Sequence, residues 1–169
     1  MQDCVEVRDA RPEEYGSVGD LRVAAYRADG FLSAGSGYAP VLHALGADGA
    51  GDTLVAVTGG RVLGTVMLMP WPHGNLVRDP GEAEIRALAV AKDARGLGIG
   101  RALVGAVTHR ATERGVRLLL LLTMQQMRAA QRLYAEAGFC RLPDRDTSPG
   151  GGSTLLAFGM NLEPGQNPG

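Results

Sequence analysis

Residues 95–100, Arg95-Gly96-Leu97-Gly98-Ile99-Gly100, constrain this chain most. They lie between the end of a strand, Ala87 to Val90, and an apolar helix predicted over Arg101 to Arg114. Glycine at alternate positions removes three Cβ atoms where a helix begins. The first N–H groups of a helix have no partner inside it. With the helix dipole they make a site for an anion. Glycine lets a phosphate lie on the backbone itself. Arg95 adds a fixed positive charge with a planar donor fork. The stretch Arg95 to Ala102, with Arg101 at the helix start, therefore reads as a pyrophosphate cradle. A glycine-rich turn with no ligand is the plainer alternative. The flanking strand and helix, and a second motif downstream, weigh against it.

Two widespread phosphate loops do not fit. A P-loop needs Gly-x-x-x-x-Gly-Lys-Ser/Thr, and no Lys-Ser or Lys-Thr follows any glycine. The dinucleotide fingerprint Gly-x-Gly-x-x-Gly fails in both registers, because Arg101 and Leu103 occupy the third glycine's place. What remains is Arg95-x-x-Gly98-x-Gly100, preceded by Leu88-Ala89-Val90. This resembles the coenzyme A loop of the GNAT superfamily of acyl-CoA-dependent N-acyltransferases. The stretch Ala130-Gln131-Arg132-Leu133-Tyr134-Ala135-Glu136-Ala137-Gly138-Phe139 is similar to that family's Asn-x-x-Ala-x-x-Leu-Tyr-x-x-x-Gly-Phe element. Met127 stands at the asparagine position, a departure that replaces a polar contact with a flexible apolar wall.

Composition narrows the class further. The 169 residues suit one domain, with a core over 4–161 and a tail, 162–169, expected to be disordered. Apolar content of 45% and charged content of 21% are those of an ordinary soluble protein. A net charge of −1 without a basic block argues against nucleic acid as a partner. Cys4 and Cys140 form neither a disulfide framework nor a metal spacing. The start reads as no signal peptide, and the longest aliphatic run, Leu118 to Leu122, is too short for a bilayer. A cytoplasmic protein with no membrane partner is expected.

Alternation and breaker residues predict the order βααβββαβαββ. It includes a hairpin turning at Gly59-Gly60, a strand from Glu84 to Val90, an apolar strand over Val116 to Thr123 and a helix over Gln126 to Ala137. Hairpins mixed with βα steps imply an α/β mixed sheet with helices on its faces. That is the GNAT order, so the resemblance covers residues 5–161 and implies a mostly antiparallel sheet whose parallel strands splay at the cofactor.

The resemblance implies acetyl-CoA as cosubstrate, no metal, and transfer to a primary amine by direct attack in a ternary complex. It assigns cofactor binding to Leu88, Ala89, Val90, Arg95, Gly96, Leu97, Gly98, Ile99, Gly100, Arg101, Ala102, Met127, Ala130 and Tyr134. Met127, Ala130, Tyr134 and Ala137 share a helical face by spacing. Tyr134 is in the position where the family donates a proton to the leaving thiolate; the alternative is a core tyrosine bonded to a carbonyl. The N–H of Ala89 or Val90 would hold the thioester oxygen. Glu84, six residues before Val90, is the candidate base by even spacing along one strand. A solvated strand-end carboxylate beside Glu82 is the competing reading. His73 and Trp71, in the loop after the third strand, are weaker candidates, and His43 and His109 read as surface residues. The loops over 31–38, 71–82 and 144–153 would shape the acceptor site. Asp79, Glu82, Asp144 and Asp146 there outnumber Arg78 and Arg145, which favours a cationic amine. Small-molecule and peptide amines stay open, as does a homodimer. A catalytically weak acyl-CoA-binding or regulatory module on the same scaffold is the second reading.

Overall fold

The computed structural model describes residues 4–148 and 152–162. The tail expected to be disordered therefore lies, beyond Leu162, outside the described residues. The elements are β1 (Glu6–Asp9), α1 (Tyr15–Ala28), α2 (Tyr38–Ala44), β2 (Asp52–Thr58), β3 (Arg61–Pro70), β4 (Glu82–Val90), α3 (Ile99–Glu113), β5 (Leu118–Met124), α4 (Arg128–Glu136), β6 (Cys140–Arg141) and β7 (Leu155–Asn161). This is the predicted order. The strands form a seven-stranded sheet in the order β1-β2-β3-β4-β5-β7-β6. No helix among the described residues is long and apolar enough to cross a membrane.

The chain divides into two compact units. One runs to Met67 and resumes over Ala87–Val107; the other takes Leu68–Arg86 and the chain from Thr108. In the first, β1 lies antiparallel on β2 with Glu6 opposite Val57. Its apolar cluster includes Val18, Val55 and Val57. The start of α1 differs from the simple expectation of one helix. Pro12–Glu14 is a separate 3-10 turn, held by the Glu14 carboxylate. That carboxylate accepts from the Arg11 amide at 2.8 Å and from Arg8 at 2.7 and 3.0 Å. The helix carrying Arg101 begins at Ile99, so Gly100 lies inside it. Its buried stripe is Ile99, Leu103, Val104, Val107 and Ala111.

In the second unit β5 has partners on both edges. It pairs parallel with β4, from Glu82 opposite Leu118 to Ile85 opposite Leu121. It pairs antiparallel with β7 along its whole length, from Leu118 to Met124. A strand covered on both sides can be uniformly apolar, and Leu119, Leu120 and Leu121 are at most 1% exposed.

The end of α4 shows why Gly138 and Phe139 follow Tyr134 at a fixed distance. The Phe139 amide donates to the Tyr134 carbonyl at 3.0 Å, and the Gly138 amide to the Ala135 carbonyl at 3.1 Å. This is a Schellman cap. Its C′ residue must be left-handed, and Gly138 has φ +104°. The apolar contact that accompanies such a cap is the Tyr134–Phe139 ring pair, edge-on at 5.7 Å.

Candidate active site

The glycine loop belongs to the first unit. Gly96 and Gly98 have φ of +80° and +79°, and a Cβ on either would meet no atom within 4 Å. The space a side chain would fill is open. The Gly98 carbonyl accepts the Ala102 amide at 3.0 Å, which makes Gly98 the N-cap of α3. The amides of Ile99 and Gly100, in the first turn, then have no acceptor within the helix. Arg95, Gly96, Leu97 and Gly98 are all exposed, while Ile99 is 3% exposed and anchors the turn. These residues fit a diphosphate. Arg95 is already engaged: Nη1 donates to Asp29 Oδ1 at 2.6 Å, and Nε and Nη2 approach the Val90 carbonyl at 3.4 Å. Leu88 and Val90 are half-buried and Ala89 is buried.

Between Glu84 and Val90 the strand contains Ala87, with φ +54°. Such a residue is not extended, so side-chain parity does not carry across it. Even spacing along β4 therefore does not place Glu84 and Val90 on one face, whatever Glu84 does.

Glu84 is in the second unit and is not the solvated strand-end carboxylate of the competing reading. It is 2% exposed. Its Oε2 accepts the amides of Asn75 at 2.6 Å and Leu76 at 3.1 Å. Arg86 Nε lies 4.0 Å from Oε1. Burial pushes the Glu84 carboxyl above the usual glutamate range, against the Leu76 amide, Arg86 and the Asn75 amide, which all favour the anion. Two residues earlier, Glu82 is also buried, at 5%. It accepts the Arg78 amide at 2.7 Å and pairs with both Nη1 and Nη2 of Arg145. Arg145 Nη1 also donates to the Leu76 carbonyl at 3.0 Å. The loop over 71–81 is thus fastened by two strand carboxylates and an arginine.

Most of the acidic surplus read from the sequence is occupied. Glu82 pairs with Arg145, Asp146 with Arg141 at 2.7 Å and Asp79 with Arg117 at 3.2 Å. The inferred bias toward a cationic amine loses these three groups. His73 is exposed, with its amide on the Pro70 carbonyl, and Trp71 is 42% exposed. His43 pairs with Asp20 at 3.0 Å, and His109 with Glu113 at 3.3 Å.

Tyr134 is 5% exposed on α4. Ala130, one turn earlier, is half-buried. Met127 is the N-cap residue of α4, with ψ +58°, so it precedes the helix and does not continue the Ala130–Tyr134 face. The polar tie at this helix start comes from Gln131, whose Nε2 donates to the Met124 carbonyl at 2.9 Å and to Thr123 Oγ1 at 3.3 Å. Sequence reasoning gave no role to Gln131 or Arg86 and did not pair Arg145 with Glu82. The signal available for Arg86 was the alternation Glu82-x-Glu84-x-Arg86 within an otherwise apolar strand.

Comparison with known proteins defines the class. The chain matches the acetyltransferase (GNAT) family over residues 17–139 and belongs to it. It is 38% identical over 92 residues to the mycothiol acetyltransferase of Cellulomonas flavigena, a match over 52% of this chain and 26% of that protein. The aligned region thus spans about a quarter of that relative. Among solved structures, a GNAT-family acetyltransferase from Staphylococcus aureus superposes with a TM-score of 0.76 at 17% identity, over 95% of this chain and 100% of that one. The Salmonella typhimurium protein yncA, solved with its cofactor acetyl-CoA, gives 0.69 at 18% identity, over 98% of each chain. At these identities the structural likeness concerns the fold.

Proposed function

We propose that this chain is a single N-acetyltransferase domain that moves an acetyl group from acetyl-CoA to a primary amine by direct attack in a ternary complex. The observation that carries the reading is the loop at Gly96 and Gly98, left-handed, exposed and open on the Cβ side, leading into the N-terminus of α3. The family match supports the same donor. The first-turn amides and the Arg95 guanidinium hold the diphosphate, and the Ala89 or Val90 amide holds the thioester oxygen. Glu84 takes the amine proton. Its 2% exposure makes one intervening water the natural carrier. The amine nitrogen forms the C–N bond, the C–S bond breaks, and Tyr134 gives its proton to the departing thiolate. The alternative, a binding module without turnover, has no need of a proton donor at Tyr134.

Ligand-dependent melting tests the reading. Acetyl-CoA at a hundred times its dissociation constant adds about 2.7 kcal/mol. For a chain of this size that is a rise of roughly 5–10 °C. NAD and ATP should give much less. Release of free thiol over an amine panel then separates an enzyme from a binder. No shift and no calorimetric heat with millimolar acetyl-CoA would overturn the proposal.

A further inference from the structure

One face of β4 presents Glu82, Glu84 and Arg86 at alternate positions, and the three differ in how they are satisfied. Glu82 meets Arg145 through two nitrogens, and Arg145 also reaches a carbonyl. That pair is closed. Glu84 uses Oε2 for two loop amides. Arg86 has, among the described residues, a single charged partner, Glu84 Oε1 at 4.0 Å, which is beyond hydrogen-bond distance. Its side chain is 19% exposed. The guanidinium is therefore half-buried, accessible, and carries donors that no acceptor among the described residues takes up. A half-buried arginine left this way costs desolvation unless something meets it.

Its position adds the second observation. The parallel pairing of β4 with β5 ends at Ile85 opposite Leu121. Arg86 is the next residue, where β4 leaves its neighbour. The fastened loop over 74–78 lies against the same face through Glu82 and Glu84. A cation and a carboxylate side by side, next to a rigid loop, match a ligand that carries an ammonium and an anion close together.

Resting on the transferase reading above, we propose that Arg86 binds an anionic group of the acceptor, and that the acceptor is an amino acid or a similarly small amine bearing its own carboxylate. The guanidinium fork takes the carboxylate oxygens, and the acceptor's amine is directed toward the Glu84 side.

The test uses the whole chain saturated with CoA and titrated calorimetrically with L-amino acids and with the amides of the same amino acids. The wild type should bind acids roughly tenfold to a hundredfold more tightly than the matched amides, the scale of a charge-assisted pair. Arg86→Gln should bring that ratio toward one, and Arg86→Lys should restore part of it. Melting curves of both variants establish that they are folded, and if Arg86→Gln does not fold the ratio is read from Arg86→Lys. Equal binding of acids and amides by the wild type, or an unchanged ratio in the variants, overturns the proposal. A carboxylate could instead belong to the acyl group, so succinyl-CoA is compared with acetyl-CoA. An Arg86-dependent preference for succinyl-CoA without acid–amide discrimination places the anion on the donor and overturns the acceptor assignment. Acids that bind through Arg86 without any thiol release uphold the Arg86 site and overturn the transferase reading instead.

Discussion

Burial works against the Glu84 carboxylate, and its neighbours work for it. The carboxyl stands above the usual glutamate range because desolvation outweighs two backbone amides and Arg86. A base is active when deprotonated, so the rate of acetylation should rise with pH through one ionisation above the ordinary glutamate value. Glu84→Gln keeps the shape and the acceptor for both amides. It should lose that limb and need higher pH for the same rate. Coincident profiles would leave Glu84 as the anchor of the loop alone. For Tyr134 the expected loss in Tyr134→Phe is about ten- to a thousandfold in turnover, the scale for a positioned acid. Acetyl-CoA affinity should change little, because the ring contact with Phe139 persists. An unchanged turnover number, with chemistry rate-limiting, would make Tyr134 structural.

At the scale of elements, charge holds a loop that its sequence leaves undetermined. Arg145 lies in the 3-10 turn Pro143–Arg145, far along the chain from Glu82. Arg145→Met would strand the buried Glu82 carboxylate. Removing one partner of a buried pair costs about 3–5 kcal/mol. The melting temperature should fall by roughly 6–20 °C. Adding Glu82→Gln should recover part of that, because the uncompensated charge is gone. Additive losses in the double variant would mean that the pair does not act as a unit. Legibility differs between elements for the same reason. Local patterns specified β5, with its leucine run, and the cap at Gly138, where one residue must be left-handed. They could not specify Ala87, since alanine carries no signal for positive φ. They could not pair Glu82 with Arg145 either, because the contact depends on the packing of distant segments. The start of α4 moved for a related reason: the Gln131 side chain and the Met127 amide both donate to the Met124 carbonyl at the end of β5, which holds Met127 as a cap rather than as part of the helix.

Over the whole molecule, acid should weaken the fold through identifiable carboxylates. Arg8 and the Arg11 amide hold the Glu14 carboxyl down to about 2, and Arg141 with the Ala157 amide does the same for Asp146. A depressed pKa stabilises the fold above the unfolded value and ceases to do so as pH falls through the folded one. The contribution is therefore complete above the ordinary carboxyl values of 4.5 for Glu14 and 3.8 for Asp146, and fades toward about 2. Asp146→Asn should melt a few degrees below the wild type at pH 7, and the two curves should converge near pH 2. A constant gap across that range would contradict the assignment. The fastened loop also has a consequence in time. Asn75 and Leu76 lie between strands, in a stretch with no regular secondary structure, where amide hydrogens ordinarily exchange with solvent quickly. Here both amides end on a carboxylate that is itself inside the sheet. They should exchange at the pace of β4 rather than at that of the exposed turn at Trp71–His73. This connection would then open only when the strand does.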